Sequence, residues 1–383
     1  MGTYGIPLLV LATTGSATLT GLAFALEWIP RLAAFPVAGA LVDRYGTARI
    51  FQAACLTRTA VILTAAVALT TVEPHTVAAT TAVMLLAAAT GVLTEVSYVA
   101  VETSGNAASR EPGRRAHQVQ SVLLGIDQVA TLAGPVLAGL LLEHAGPQAM
   151  LGTLAGFSLL AAALGPRQET REETNAAGGR RQGLRAGWAT LRSLPALAWL
   201  VGGLVVSNTA VGLLQAAVPV LVVTELGHSS ADAGAIWSVA AATSLLAVTV
   251  CRRGIDRWGL WPAGAASAVL AATATATLAI ATADTYRGYL LLIAVLMAGE
   301  GGLTVVLRTL RAHLIPSETF ASTLAVTILL LLIPFPLAGL VVAAVPPADL
   351  PHAVAVTAVL QTIGLAVTFA RLRTLRAVPA VTT

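Results

Sequence analysis

Several ionisable side chains interrupt stretches of sequence that are otherwise apolar: Glu27, Arg31, Arg58, Glu95, Asp127 and Glu300. Such a group near the centre of a membrane helix costs about 2.5 to 3.5 kcal/mol on insertion scales, so each requires a partner or a use. Glu27 and Arg31 are four residues apart, hence on one helical face, and can neutralise each other as a structural pair. The alternative is a coupled proton site or a substrate contact. Arg58 stands about 12 Å from the start of its helix, within reach of the interface or of a carboxylate, and is read as structural. Glu95, Asp127 and Glu300 have no basic residue within one turn. They are candidates for proton coupling or for binding a cationic substrate, with packing carboxyls that stay protonated as the alternative. Asn208 and Gln215, seven residues apart, share a face and could bond a ligand or tie helices together. Trp28, Trp199, Trp237 and Tyr98 read as core or interface aromatics rather than a ligand cage. Cys55 and Cys251 lie in different halves without CxxC spacing, so no disulfide, metal site or cofactor is expected.

The elements that must position these groups are membrane helices. The chain has 383 residues, 56% of them hydrophobic and 10% charged, against the usual quarter of charged residues in soluble domains. Apolar runs of about 20 residues, enough to cross a hydrocarbon core, occupy 18–42, 50–72, 76–102, 117–142, 148–164, 196–224, 231–253, 261–283, 286–311, 319–345 and 350–371. Upstream lies only "YGIPLLVLATT", which reads as the outer half of a twelfth helix. Counting back from Asp43 leaves too few residues for a complete first helix, so the expectation is either a start placed late or a natural shortening. No signal peptide is visible at Met1, whose first following basic residue is Arg31.

Arginines alternate between the loops. One set carries Arg44 and Arg49, then Arg110, Arg114 and Arg115, then Arg167 to Arg192, then Arg252, Arg253 and Arg257, then Arg308 and Arg311, then Arg371, Arg373 and Arg376. The other set carries Glu73, Glu143, Glu225, Asp232, Asp284 and Asp349, with Arg287 its one arginine. The arginine-rich loops are therefore expected in the cytoplasm, together with the C-terminus. Residues 166–195 mix charge runs with glycines and read as a cytoplasmic linker between bundles 1–165 and 196–383. Its second half, with Leu184, Trp188 and Leu191 at helical spacing, either lies in the membrane interface or is a solvated tether.

"GALVDRYG" at 39–46 and "GIDRWG" at 254–259 write the same turn twice, and Asp256 follows Asp43 by 256 − 43 = 213 residues. Parallel repeats of this kind relate two halves about an axis along the membrane normal. "GALVDRYGTAR" resembles the loop 2–3 signature of the major facilitator superfamily, although Thr47 and Ala48 follow Gly46 where that signature has basic residues. The resemblance implies an all-α polytopic fold of two pseudo-symmetric six-helix bundles with a shortened first helix. It also implies that Gly39, Asp43, Arg44, Gly46, Arg49, Asp256 and Arg257 form a cytoplasmic gate, with a plain topology-setting loop as the alternative. "GIDQVATLAGPVLAG" is similar to the antiporter motif of the superfamily's exporters, carried here by Gly134, Pro135 and Gly139, with "IPFPLAGL" as its counterpart in the second half. "EWIPRLAAFPVAGALVDR" and "LTRTAVIL" resemble the twelve-helix drug and siderophore exporter branch. In the superfamily, helices four and ten line the central cavity, which places Glu95 and Glu300 there.

The function expected is proton-driven export of a small organic molecule by alternating access, from a monomer in the cell membrane. A non-transporting or sensor protein is the alternative from another class, and an uptake permease is the third. The sequence has no HExxH, GxSxG or GxxxxGK[ST], so neither an enzyme nor an ATP-driven pump is expected, and nothing points to nucleic acid.

Overall fold

The computed structural model describes residues 2–73, 75–109, 116–165, 184–280, 285–316 and 319–375. Side chains at 36, 43, 105–109, 116–128, 279–280, 312 and 321, Asp43 and Asp127 among them, lie outside the description, as do residues 110–115, most of the linker, Asp284 and Arg376. Among the described residues there is no strand, and the chain forms fourteen α-helices. They are α1 (Gly2–Thr14), α2 (Ala17–Tyr45), α3 (Thr47–Thr71), α4 (Val77–Ser109), α5 (Ala116–His144), α6 (Gly146–Leu164) and α7 (Leu184–Ser193), followed by α8 (Pro195–Val220), α9 (Ser230–Trp258), α10 (Leu260–Ile280), α11 (Tyr286–Leu314), α12 (Phe320–Leu332), α13 (Pro334–Ala344) and α14 (Leu350–Thr374). Eight spans within the described residues are long and apolar enough to cross a membrane. Each apolar run read from the sequence is essentially helical over its described residues, and the run at 319–345 is broken at Pro334, which cannot continue the hydrogen-bond ladder.

The two "DR-aromatic-G" turns are local structures with the same cause. Gly46 and Gly259 end α2 and α9 at φ 87° and 92°, a region that side chains disfavour and glycine does not. In both turns the arginine folds over the aromatic ring beside it, Arg44 5.1 Å from the Tyr45 centroid and Arg257 5.9 Å from that of Trp258. Both preceding helices are 29 residues long.

The contacts divide the chain into two compact units. Unit 1 contains residues 1–174, 215–238 and 336–350; unit 2 contains 175–214, 239–335 and 351–383. Unit 1 is therefore α1 to α6 completed by the end of α8, the start of α9 and most of α13. Within it α2 and α4 are pressed backbone to backbone, because a Cβ on Gly91 would overlap the carbonyl oxygen of Glu27. Unit 2 packs α7 on α12, where a Cβ on Gly187 would overlap the carbonyl of Ser322. Leu191 of α7 is buried, and Arg192 lies 5.1 Å from the Trp188 ring. The second half of the linker is thus a docked helix rather than a solvated tether.

Helices in lipid gain little from the hydrophobic effect and depend on such close approaches. Gly91→Ala should lower the thermal midpoint of the purified protein by the equivalent of about 1 to 3 kcal/mol of overpacking. Gly152→Ala, where an added Cβ meets nothing within 4 Å, should leave it unchanged.

Candidate functional site

Unit 1 holds three of the sequence's charged candidates in its interior. Glu27 and Glu95 are 3% and 2% exposed. Arg31 corrects the expected pairing: its Nε donates to Glu95 Oε2 at 2.6 Å, not to Glu27. Glu95, read as lacking a local partner, has one from another helix. The reason is the α2–α4 crossing, which places Gly91 on Glu27 and so brings Glu95, one turn further along α4, beside Arg31, one turn further along α2. The guanidinium also stacks 4.6 Å from the ring centre of buried Trp28, a contact that strengthens on desolvation. Glu27 Oε2 is buried with no hydrogen-bond partner. Arg58 donates from Nε to Ser158 Oγ at 2.9 Å, tying α3 to α6, which fits its structural reading.

Unit 2 holds Glu300, 7% exposed, at the meeting of four helices. Its Oε1 accepts from Ser207 Oγ of α8 and from Gln361 Nε2 of α14, the latter at 3.1 Å. The same Gln361 nitrogen donates to Ser207 Oγ at 2.6 Å, and Gln361 Oε1 accepts from Thr275 Oγ1 of α10 at 2.6 Å. Ser207 and Gln361 are 0% exposed and Thr275 is 1% exposed. Among the described residues no arginine pairs with Glu300. A buried carboxyl held only by neutral donors can lose or gain a proton without breaking an ion pair, and buried networks of this kind hold their members in one geometry. Sequence reasoning missed Gln361, Ser207 and Thr275. The available signal was Gln361, a lone amide within the last apolar run; serines and threonines are too common in such helices to stand out.

The other candidates are dispersed. Asn208 donates to the Leu331 carbonyl at 2.8 Å in unit 2, as an interhelical tie, whereas Gln215 donates weakly to Tyr4 Oη at 3.4 Å in unit 1. Gln215 lines a small cavity with Tyr4, Leu8, Val218, Pro219, Ala233, Gly234 and Trp237. Gln215 Oε1 and Trp237 Nε1 have no partner there, and Tyr4 and Trp237 rings lie 5.5 Å apart. Asp127 is on α5, with its side chain outside the description. Asp43 is likewise on α2 without a described side chain, while Arg44, Arg49, Asp256 and Arg257 are exposed near the ends of their helices. No group of acidic, histidine or cysteine side chains able to hold a metal occurs among the described residues.

The motif on α5 has a clear structural role. A Cβ on Gly139 would overlap the Ser230 carbonyl, and one on Gly234 would overlap the carbonyl of Pro135. Pro135 has no N–H to give to the α5 ladder, and the Val136 N–H donates to Ser238 Oγ of α9 at 3.2 Å. Glu143 accepts from the Ala231 N–H at the start of α9, where negative charge is favoured. A second crossing joins α2 to α13: a Cβ on Gly21 would lie 2.5 Å from Ala343 N, and one on Gly339 would lie 2.6 Å from Ala25 N. Gly234 follows Gly21 by 234 − 21 = 213 residues, the offset of the two "DR" turns. Both crossings lie toward the arginine-poor ends of their helices and within unit 1.

Wedging a crossing apart should expose what it covers. With Cys55 and Cys251 replaced by alanine and Gln215→Cys as reporter, Gly139→Leu, which wedges the α5–α9 crossing beside the Gln215 cavity, should raise maleimide labelling several-fold. The Gly152→Leu control should not.

The fold is shared with many solved structures, two of which serve as examples. A bacterial homologue of the iron transporter ferroportin, in the inward-facing state, matches with a TM-score of 0.74 at 16% identity, over 97% of this chain and 94% of that one. A bacterial homolog of the human lysosomal transporter Spinster, inward-facing and unoccupied, matches with a TM-score of 0.69 at 12% identity, over 97% and 95%. No curated protein sequence matches the chain. The Major Facilitator Superfamily model matches residues 2–331, so the repeated turn, the paired crossings and the buried polar clusters belong to a multi-pass membrane transporter of that superfamily, not an enzyme.

Proposed function

We propose that this transporter uses alternating access to export a small organic molecule in exchange for protons. The observation that carries the reading is Glu300, an almost wholly buried carboxyl among four helices, held by Ser207 and Gln361 with no cationic partner among the described residues. Inward movement of one charge through 100 mV supplies about 2.3 kcal/mol, enough to drive extrusion against a gradient of more than tenfold. Export, rather than uptake, is favoured by the Gly134, Pro135 and Gly139 motif, whose glycine and proline build the α5–α9 crossing. Arginine distribution favours a cytoplasmic face carrying Asp43, Arg44, Arg49, Asp256, Arg257 and the C-terminus, in the cell membrane. On this reading the bundles are 1–165 and 196–383, the "DR" turns close the cytoplasmic side of a monomer, and the two glycine crossings close the opposite side.

The test is accumulation of a panel of neutral and cationic dyes and antibiotics in cells that overproduce the protein. The wild type should lower accumulation of at least one compound, and an uncoupler should abolish the difference. Glu300→Gln should lose at least tenfold in proton-dependent export. Undiminished export in this variant, or export indifferent to the uncoupler, would remove Glu300 from the coupling role.

A further inference from the structure

Unit 1 contains two buried carboxyl groups and one partly buried guanidinium that the Glu300 site does not use. Glu27 and Arg31 are one turn apart on α2, and Gly91 and Glu95 are one turn apart on α4, with Gly91 seated on the backbone of Glu27. The two carboxyls therefore stand about 6 Å apart along the helix axis, and Arg31 is bonded to Glu95 while lying one turn from Glu27. Glu27 Oε2 has no donor aimed at it. Were both carboxyls ionised, the cluster would carry one uncompensated negative charge in a buried site, the arrangement that costs most. One bound proton removes that charge.

Beyond Arg31, Glu27 feels a weaker attraction from the chain's amino-terminal charge, and among the described residues no other ion pair is made by either carboxyl. Of the elements packed on α2, α1 contributes the hydroxyl of Thr3, which bonds the same carboxyl, and Tyr4 as its one titratable group. From α3, Arg58 is engaged by Ser158, and Arg49 lies at the helix start. From α4, Glu102 is exposed and two turns beyond Glu95, and α13 has no titratable residue. On α2 itself Asp43 and Arg44 are three turns beyond Arg31.

We propose that Glu27, Arg31 and Glu95 form a second proton site, in which Arg31 is a movable counter-ion shared by two carboxyls and the proton resides on whichever one it leaves. In the conformation described, Glu95 is the carboxylate and Glu27 the acid. When Arg31 swings one turn, Glu27 gives up its proton and becomes the partner of Arg31, and Glu95 takes up one proton. Charge is conserved, and the net change is one proton displaced by about 6 Å along the helix axis. As a step in transport this rests on the proton-coupled reading; as a statement about where a proton sits, it does not.

The experiment is infrared difference spectroscopy of the carboxylic acid C=O stretch, on the full chain in lipid nanodiscs titrated with pH. It needs no substrate, so its outcome is separate from that of the accumulation assay. Wild type should show an acid band that Glu27→Gln removes. The decisive variant is Glu95→Gln: with its partner gone, Arg31 should turn to Glu27, ionise it and abolish the same band, while any band from Glu300 is untouched. A Glu27 that is merely a protonated packing group would keep its band in Glu95→Gln, and that result would overturn the proposal. So would a wild type from which Glu27→Gln removes nothing. If Glu95→Gln does not fold, Arg31→Gln reads the same balance: two acid bands are expected where wild type has one, and an unchanged spectrum counts against the shared counter-ion.

Discussion

Direct contact between helix backbones is the constraint on which the rest of this structure depends. Lipid gives helices no hydrophobic reason to associate, so packing and the satisfaction of polar groups must hold them together. Where glycine removes the side chain, as at Gly91 on Glu27 or Gly139 on Ser230, two helices approach to the limit set by their main chains. That approach fixes which side chains can meet one turn away. The Arg31–Glu95 ion pair is a product of the Gly91 contact, because four residues along two helices that run in the same direction lead from one to the other. A side chain at position 91 would separate the pair without touching either member.

Each unit disposes of buried charge differently. Unit 1 uses an ion pair, a cation–π contact and a leftover carboxyl. Unit 2 uses hydroxyl and amide donors, with Thr275 orienting Gln361 and Gln361 orienting Ser207 toward Glu300. An ion pair is sensitive to which conformation brings the partners together. A neutral network instead keeps its geometry through a change of protonation, since a hydroxyl can turn from donor to acceptor. The halves are similar in backbone plan and unlike in their electrostatics.

Much of this was legible in the sequence. Apolar runs and arginine alternation located the helices, and the repeated turn located the duplication, because these are one-dimensional patterns with a direct physical cause. The pairing of Arg31 was not legible. Spacing along one helix favoured Glu27, and the contact that won comes from a different helix, set by a glycine 60 residues beyond Arg31 in a context rich in small residues. Gln361 was missed for a similar reason: its meaning appears only when four helices are assembled. Spacing also grouped Asn208 with Gln215, but one bonds within unit 2 and the other within unit 1.

The equal lengths of α2 and α9 have a further consequence. From Gly21 to Gly46, and from Gly234 to Gly259, the chain runs 25 residues from a backbone crossing to a positive-φ turn, about 37 Å of uninterrupted helix. One inserted residue would rotate the turn by about 100° relative to the crossing and move it by about 1.5 Å. The segment is therefore a ruler as well as a strut. The two copies differ in most of their letters along it and agree in its length.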